Sequence, residues 1–312
     1  MEIVSIGSSS SGNSYIIKAG SVNLLLDVGL SAKRITDALN TCDIAPEDVS
    51  AVLLTHEHID HVRSVRAISK KCPNAQFYTS RGTAQGTEAF SYVADERINY
   101  VSRGDSFNIG RQATDKCGSD CSDAYSATAD TGNDEIEIRC FGLSHDAREP
   151  IGYSVIADGQ QLTVVTDTGI VTDEIFEEML TADMLVYEAN HEEELLMFGP
   201  YPYSVKQRIK SDVGHLSNVS SGEVLASLLE ERAVERRGRE AEINADAGAK
   251  QNREESKLTA PTIMLAHLSE NNNTPYQARM TIRDILSQHG FEEGEHYTMT
   301  IAAPKEMTRL ER

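Results

Sequence analysis

The chain has 312 residues, 39% of them hydrophobic, with 49 acidic against 29 basic side chains and a formal net charge of −20. No apolar run approaches the ~18 residues that a membrane span requires, so no membrane-spanning helix is expected. The acidity weighs against a nucleic-acid partner without excluding one, because bound divalent cations would be the largest local charges facing a phosphate.

In chain order, EIVSI, SYIIKA and VNLLLD read as strands, SAKRITDALN as a helix and AVLLT as a buried strand. VRSVRAISKK looks helical and QFYT follows as a strand. Residues 112–134 are small and polar and read as an inserted loop, and seven acids against Lys116 alone lie within 112–137. Strands resume at EIEIRCF, IGYSVIAD and LTVVTD; DEIFEEML is helical, and DMLVYEA and TIMLAHL are strands. A helix beginning at LASLLEERAVERRGREAEI overruns its core into a charged excursion, giving a second polar insertion at about 236–258. TPYQARMTIRDILSQHG closes the series as a helix with Thr274 as N-cap, Pro275 at N1 and Gly290 past its end. Hairpin-linked strands come first and strands mixed with helices later, which predicts sheets covered by helices in one α+β domain over 1–312. No internal sequence repeat is evident.

The five cysteines form no disulfide-framework spacing. Cys117 and Cys121 lie in the polar stretch without a paired CxxC, so a zinc knuckle is not expected. The first residues lack a basic segment leading into an apolar one, so no signal peptide is expected. A reducing, cytoplasmic setting fits best.

THEHIDH, residues 55–61, puts three histidines and two acids at the end of the apolar strand AVLLT. On an extended chain His56 and His58 point to one side, and Asp60 and His61 follow where a helix begins. A lone histidine there would be an ordinary loop residue; this concentration of imidazole and carboxylate is the ligand chemistry of Zn, Mn or Fe. Other strands end the same way: His145 follows EIEIRCFGLS, Asp167 ends LTVVT and His267 follows TIMLA. Strand ends converge at one rim of a sheet, so these groups can meet.

THEHIDH resembles the HxHxDH signature of the metallo-β-lactamase superfamily, with Asp27, His145, Asp167 and His267 in that superfamily's order. GSSSSGNSYII, SHDAREPIGY, EANHEEELLMFGPYP, GHLSN and LAHLSENNNTP further resemble the YycJ/WalJ group of bacterial exonucleases, near the branch that includes tRNase Z and RNase J. The resemblance covers almost the whole chain and implies a four-layer αββα sandwich. It also implies two divalent metal ions, one on His56, His58 and His145, the other on Asp60, His61 and His267, with Asp167 bridging. Asp27 would hold an imidazole in place from behind. Asp60 and His215 would be the catalytic residues, His215 of GHLSN resembling a histidine that nuclease members place near the leaving group.

Two cations ~3.5–4 Å apart can generate a hydroxide and stabilise charge at phosphorus. The implied function is a phosphodiesterase, foremost a 5′-to-3′ DNA exonuclease. An RNA-processing nuclease, a thioester hydrolase and a non-catalytic nucleic-acid-binding protein are the alternatives. His215 could instead be structural, with Ser217 or Asn218 capping the helix from Val219. Asn13 and Ser217 are candidates for substrate contact, His191 lies near the site, and His289 and His296 read as structural or solvated.

Overall fold

The computed structural model describes residues 1–110, 135–245 and 259–312. The stretch 112–134, with Cys117 and Cys121, lies outside the described residues, as does 246–258 of the second expected insertion.

The first half of the chain runs β1 (Glu2–Gly7), β2 (Ser14–Ala19), β3 (Val22–Leu26), α1 (Ala32–Thr41), β4 (Val49–Leu53), α2 (Ile59–Val62), α3 (Val65–Lys71), β5 (Gln76–Thr79), α4 (Arg81–Gly86) and β6 (Ile98–Tyr100). The second runs β7 (Ser106–Gly110), β8 (Glu135–Gly142), β9 (Ile151–Ala157), β10 (Gln160–Val165), α5 (Asp173–Leu180), β11 (Met184–Glu188), α6 (Glu193–Phe198), α7 (Tyr203–Ile209), α8 (Asn218–Ala245), β12 (Thr262–Ala266), α9 (Pro275–Gln288), β13 (Thr298–Ile301) and β14 (Thr308–Glu311). Residues 236–245, expected within the second insertion, continue α8.

Among the described residues two seven-stranded sheets result, in the orders β14-β1-β2-β3-β4-β5-β6 and β13-β12-β11-β10-β9-β8-β7. Each begins as an antiparallel meander and turns parallel, at β3–β4 in the first and β10–β11 in the second. The expected division into early hairpins and later mixed structure is therefore corrected. The same order of pairing occurs once per half, as a repeat of topology rather than of sequence. β14 leaves the second half and pairs antiparallel with β1, Ile3 opposite Leu310.

Alternate residues of the strands face opposite ways, and both faces are buried. Ile3, Leu24 and Leu26 meet Ile138, Val155, Val164 and Met264 between the sheets. Val4, Leu25 and Val52 pack outward on Ile35 and Leu39 of α1 and Ile68 of α3. Val165, Leu185 and Leu265 pack outward on Ile175 of α5, Leu225 of α8 and Ile282 of α9. The order helix, sheet, sheet, helix is the αββα sandwich. At α9 the Thr274 hydroxyl accepts from the Gln277 amide at 3.1 Å with Pro275 in the first turn, as the capping residues predict.

The C-terminal ends of β10, β11 and β12 share one rim because those strands are parallel, and β8 joins them through two antiparallel steps. The ends of β3 and β4 meet this rim from the other sheet: the Thr55 carbonyl accepts from the Ile151 amide at 3.0 Å, and the Tyr153 hydroxyl donates to the Leu54 carbonyl at 3.0 Å.

Candidate metal centre

The side chains of the candidate centre leave strand ends at this rim or the short helix that follows β4. Asp27 follows β3, His56 and His58 follow β4, and Asp60 and His61 lie in α2. His145 follows β8, Asp167 follows β10 and His267 follows β12. Asp27, Asp167 and His267 turn off their strands at φ 54°, 61° and 55°, three of the five non-glycine residues with positive φ among those described. Asp and His tolerate this region better than most residues, yet the conformation costs on the order of 1–3 kcal/mol each and persists only where surroundings impose it. Such strain concentrated at one rim marks a site built for geometry.

The β3 exit loop is threaded against the histidine loop. The Val28 amide donates to the His61 carbonyl at 2.8 Å, and the Asn13 amide donates to the Asp60 carbonyl at 2.8 Å. Gly29 lies so close to the Asp60 carbonyl that any Cβ there would overlap it. This explains LDVG: the acid needs the turn and the glycine admits the neighbouring loop.

Four imidazoles are each held from outside by one ring nitrogen. His61 Nδ1 is 2.7 Å from Asp27 Oδ2, and His56 Nδ1 is 3.0 Å from Thr55 Oγ1, a hydroxyl that also reaches Asp27. His145 Nδ1 is 3.2 Å from the Gly214 carbonyl and His267 Nδ1 is 2.9 Å from Glu188 Oε1. Fixing one nitrogen leaves the other for a metal.

The remaining nitrogens converge. His56, His58 and His145 form one group able to hold a metal ion, Asp60, His61 and His267 a second, and His56, His61 and Asp167 a third that joins them. His58 Nδ1 and His145 Nε2 are 3.3 Å apart, and Asp167 lies 3.4 Å from His61 Nε2 and 3.3 Å from His267 Nε2 through its two oxygens. His56 Nε2, Asp167 Oδ2 and His267 Nε2 are fully buried with no hydrogen-bond partner. Buried polar atoms are nearly always satisfied, so these orphans, each within one of the candidate ligand groups, fit cations as their missing partners.

The electrostatics agree. Burial, reinforced by neighbouring imidazoles, pushes His56 well below its usual range, so it is neutral with a lone pair to give. Burial would likewise lower His267, but Asp167, Asp60 and Glu188 outweigh it and raise it to about 10. For Asp167, burial alone would raise the carboxyl; His267, His61 and His145 instead hold it below the ordinary value. Protonated imidazoles thus stand in for positive charge that a metal would supply.

Two acids join the centre that the sequence reading did not single out. Glu188, fully buried at the end of β11, accepts from His215 Nδ1 at 2.8 Å and His267 Nδ1 at 2.9 Å, and from the Leu216 and Thr168 amides. Its signal was present: MLVYE ends in an acid as LTVVTD and LLLD do. Asp146 Oδ1 is 3.4 Å from His145 Nε2, and Oδ2 pairs with Arg208 at 2.8 Å.

His215 therefore stands beside the cluster, its ring 5.0 Å from His145 and 5.2 Å from His267, tied by Nδ1 to Glu188. Asn13 and Ser217 hydrogen-bond within their own loops, Asn13 at the edge of the cluster. Asn13 Oδ1 accepts from Ser8 Oγ and the Ser9 amide, and its Nδ2 donates to the Ser9 carbonyl and lies 3.2 Å from His61 Nε2. Ser8 Oγ also accepts from the His267 amide, so the serine loop braces two histidines. Ser217 Oγ accepts from the Ser220 amide at 3.0 Å, the N-cap geometry of α8. His191 is buried near Ser217 with Nδ1 unpartnered. His289 pairs with Glu230 in solvent, and His296 accepts from the Glu292 amide.

Paired sheets flanked by helices, with an imidazole and carboxylate cluster at their common rim, define the metallo-β-lactamase fold. Residues 23–235 match the beta-lactamase superfamily domain, and the chain belongs to that superfamily. It is 31% identical to the exodeoxyribonuclease WalJ of Streptococcus pneumoniae, covering 98% of this chain and 95% of that protein. It is 29% identical to the exodeoxyribonuclease YycJ of Bacillus anthracis, covering 98% and 97%. The zinc-bound PqqB of Methylobacterium extorquens shares the fold, with a TM-score of 0.59 over 100% of both chains at 14% identity.

Proposed function

We propose that this chain is a dinuclear metal-dependent phosphodiesterase that degrades DNA from a 5′ end. The observation that carries the reading is the set of buried, unpartnered atoms His56 Nε2, Asp167 Oδ2 and His267 Nε2 beside a histidine anchored to a carboxylate. Near full-length likeness to two named exodeoxyribonucleases supports DNA over RNA or thioester substrates. The 5′-to-3′ direction rests on the motif resemblance.

His56, His58 and His145 would hold one ion and Asp60, His61 and His267 the other, with Asp167 shared. Bound Zn, Mn or Fe would supply Lewis acidity and a water acidic enough to attack phosphorus. Asp27, Thr55, Gly214 and Glu188 fix the tautomers and ring planes of the ligands. Glu188 holds the Nδ1 proton of His215, which leaves Nε2 to carry a proton to the departing oxygen. Asp60 would serve with His61 and His267 as a ligand, its carboxylate lying 3.5 Å from His61 Nε2 and 3.8 Å from His267 Nε2.

No helix among the described residues is long and apolar enough to cross a membrane. Cys42, Cys72 and Cys140 are buried free thiols, which supports a reducing, cytoplasmic setting. The test is metal-reconstituted protein on DNA labelled at either end, with RNA and a thioester alongside. Stepwise release from the 5′ end is expected; hydrolysis confined to the thioester or to RNA would overturn the DNA assignment.

A further inference from the structure

The acid of SHDA, Asp146, stands beside the candidate centre without a task in the proposed reaction. Its approach differs from that of the acids behind the ligands. Asp27 and Glu188 meet His61 and His267 at Nδ1, from outside the cluster, at 2.7 and 2.9 Å. Asp146 Oδ1 instead lies 3.4 Å from His145 Nε2, the nitrogen left for a metal because the Gly214 carbonyl holds Nδ1. His58 Nε2 is 4.0 Å from the same oxygen, too far for Asp146 to hold that ring by a hydrogen bond.

The spacing is that of neighbouring ligands. Two donor atoms ~2.0–2.2 Å from one ion, at a tetrahedral angle, lie roughly 3.3–3.6 Å apart. His58 Nδ1 and His145 Nε2 are 3.3 Å apart, and His61 Nε2 and Asp60 Oδ2 are 3.5 Å apart. The 3.4 Å between Asp146 Oδ1 and His145 Nε2 belongs to the same set.

The carboxylate is held in this pose. Arg208 Nε takes Oδ2 at 2.8 Å, which leaves Oδ1 toward the centre. The loop is fastened on both sides: Ser144 Oγ donates to the Asp212 carbonyl at 2.7 Å, and the Arg148 amide donates to Glu57 Oε1 at 2.8 Å. A bridge to Arg208, whose side chain is 57% exposed, contributes little stability by itself, so fold stability does not account for the arrangement.

We propose that Asp146 is an additional ligand of the ion held by His56, His58 and His145, with Arg208 a positioning residue that occupies its other oxygen. The proposal rests on the metal-dependent reading above and deepens it. A further carboxylate beside the shared Asp167 shifts this position from the preference of imidazoles alone toward Mn.

The test compares Asp146→Ala with Arg208→Ala. Mn and Zn are titrated calorimetrically into chelator-treated protein, and the visible absorption of Co-substituted protein reports the ligand number. Asp146→Ala should weaken one of the two Mn-binding steps by at least ~10-fold, the least expected even for a partner behind a ligand, and Zn by less. Its Co spectrum should change in intensity while Tm holds, and Asp146→Asn, which keeps the shape, should repeat the Mn loss. Arg208→Ala should keep the wild-type Co spectrum and lose less affinity. Equal losses in the Asp146→Ala and Arg208→Ala variants with unchanged Co spectra would make the pair a simple bridge and overturn the assignment. Wild-type Mn affinity in Asp146→Ala would overturn it as well. Wild-type protein that binds neither Mn nor Zn would refute the metal-dependent reading itself.

Discussion

Glu188 Oε1 lies 2.8 Å from His215 Nδ1, joining a fully buried carboxylate to a partly exposed imidazole. The same oxygen holds His267 at 2.9 Å, so one acid orients both a candidate ligand and a candidate proton donor. Glu188→Gln should therefore damage two properties together. Metal affinity should fall by about 10–100-fold, the usual effect of losing a partner behind a ligand, and hydrolysis at saturating metal should still be slow. Calorimetric metal titration and DNA turnover on one preparation check both.

His215→Ala separates the second property. It should keep its metals and hydrolyse DNA ~10²–10⁴-fold more slowly, the usual magnitude for a lost general acid. The defect should shrink on a p-nitrophenyl phosphodiester, whose leaving group departs without a proton. Equal losses on both substrates, with metals and Tm intact, would remove the general-acid role.

Much of this centre was legible because its signals are local. THEHIDH is one loop, and His145, Asp167 and His267 each follow an apolar strand. Glu188 was passed over because it ends a strand as one more acid among 49, and only the crossing of β11 beneath His215 and His267 shows its partners. Asn13 reads as a phosphate contact in sequence because a Gly/Ser run advertises free donors; the structure shows its oxygen and one amide hydrogen holding the serine loop, with Nδ2 3.2 Å from His61 Nε2. β6, β7, β13 and β14 span three to five residues, too short for a periodic signal, and exist through pairing with distant strands such as β1.

Gly29 gives a backbone test. A methyl group there overlaps the Asp60 carbonyl, so Gly29→Ala must push the histidine loop away from β3. Metal content should drop, and Tm should fall by several degrees, the response to a loss of roughly 1–3 kcal/mol from overpacking. Full metal occupancy in this variant would show that the loop tolerates the shift.

His191 sets part of the acid limit. Burial, opposed by Glu188, lowers its pKa from 6.5 to about 4. The unfolded chain then binds this proton first, so stability declines as pH falls through about 6.5 and levels near 4. The drop amounts to about 3 kcal/mol at most. Denaturant midpoints of chelator-treated protein between pH 7 and 4 should fall less steeply in His191→Gln. Identical slopes would assign the acid limb to other groups.

The central claim is that two metal ions at this rim drive DNA hydrolysis. Titrating chelator-treated protein with Mn or Zn, while following nucleotide release from end-labelled DNA, tests it most directly. Activity should rise from none and level at about two equivalents of metal per chain, as two linked ligand groups require. A plateau at one equivalent or fewer, or undiminished activity without metal, would contradict it.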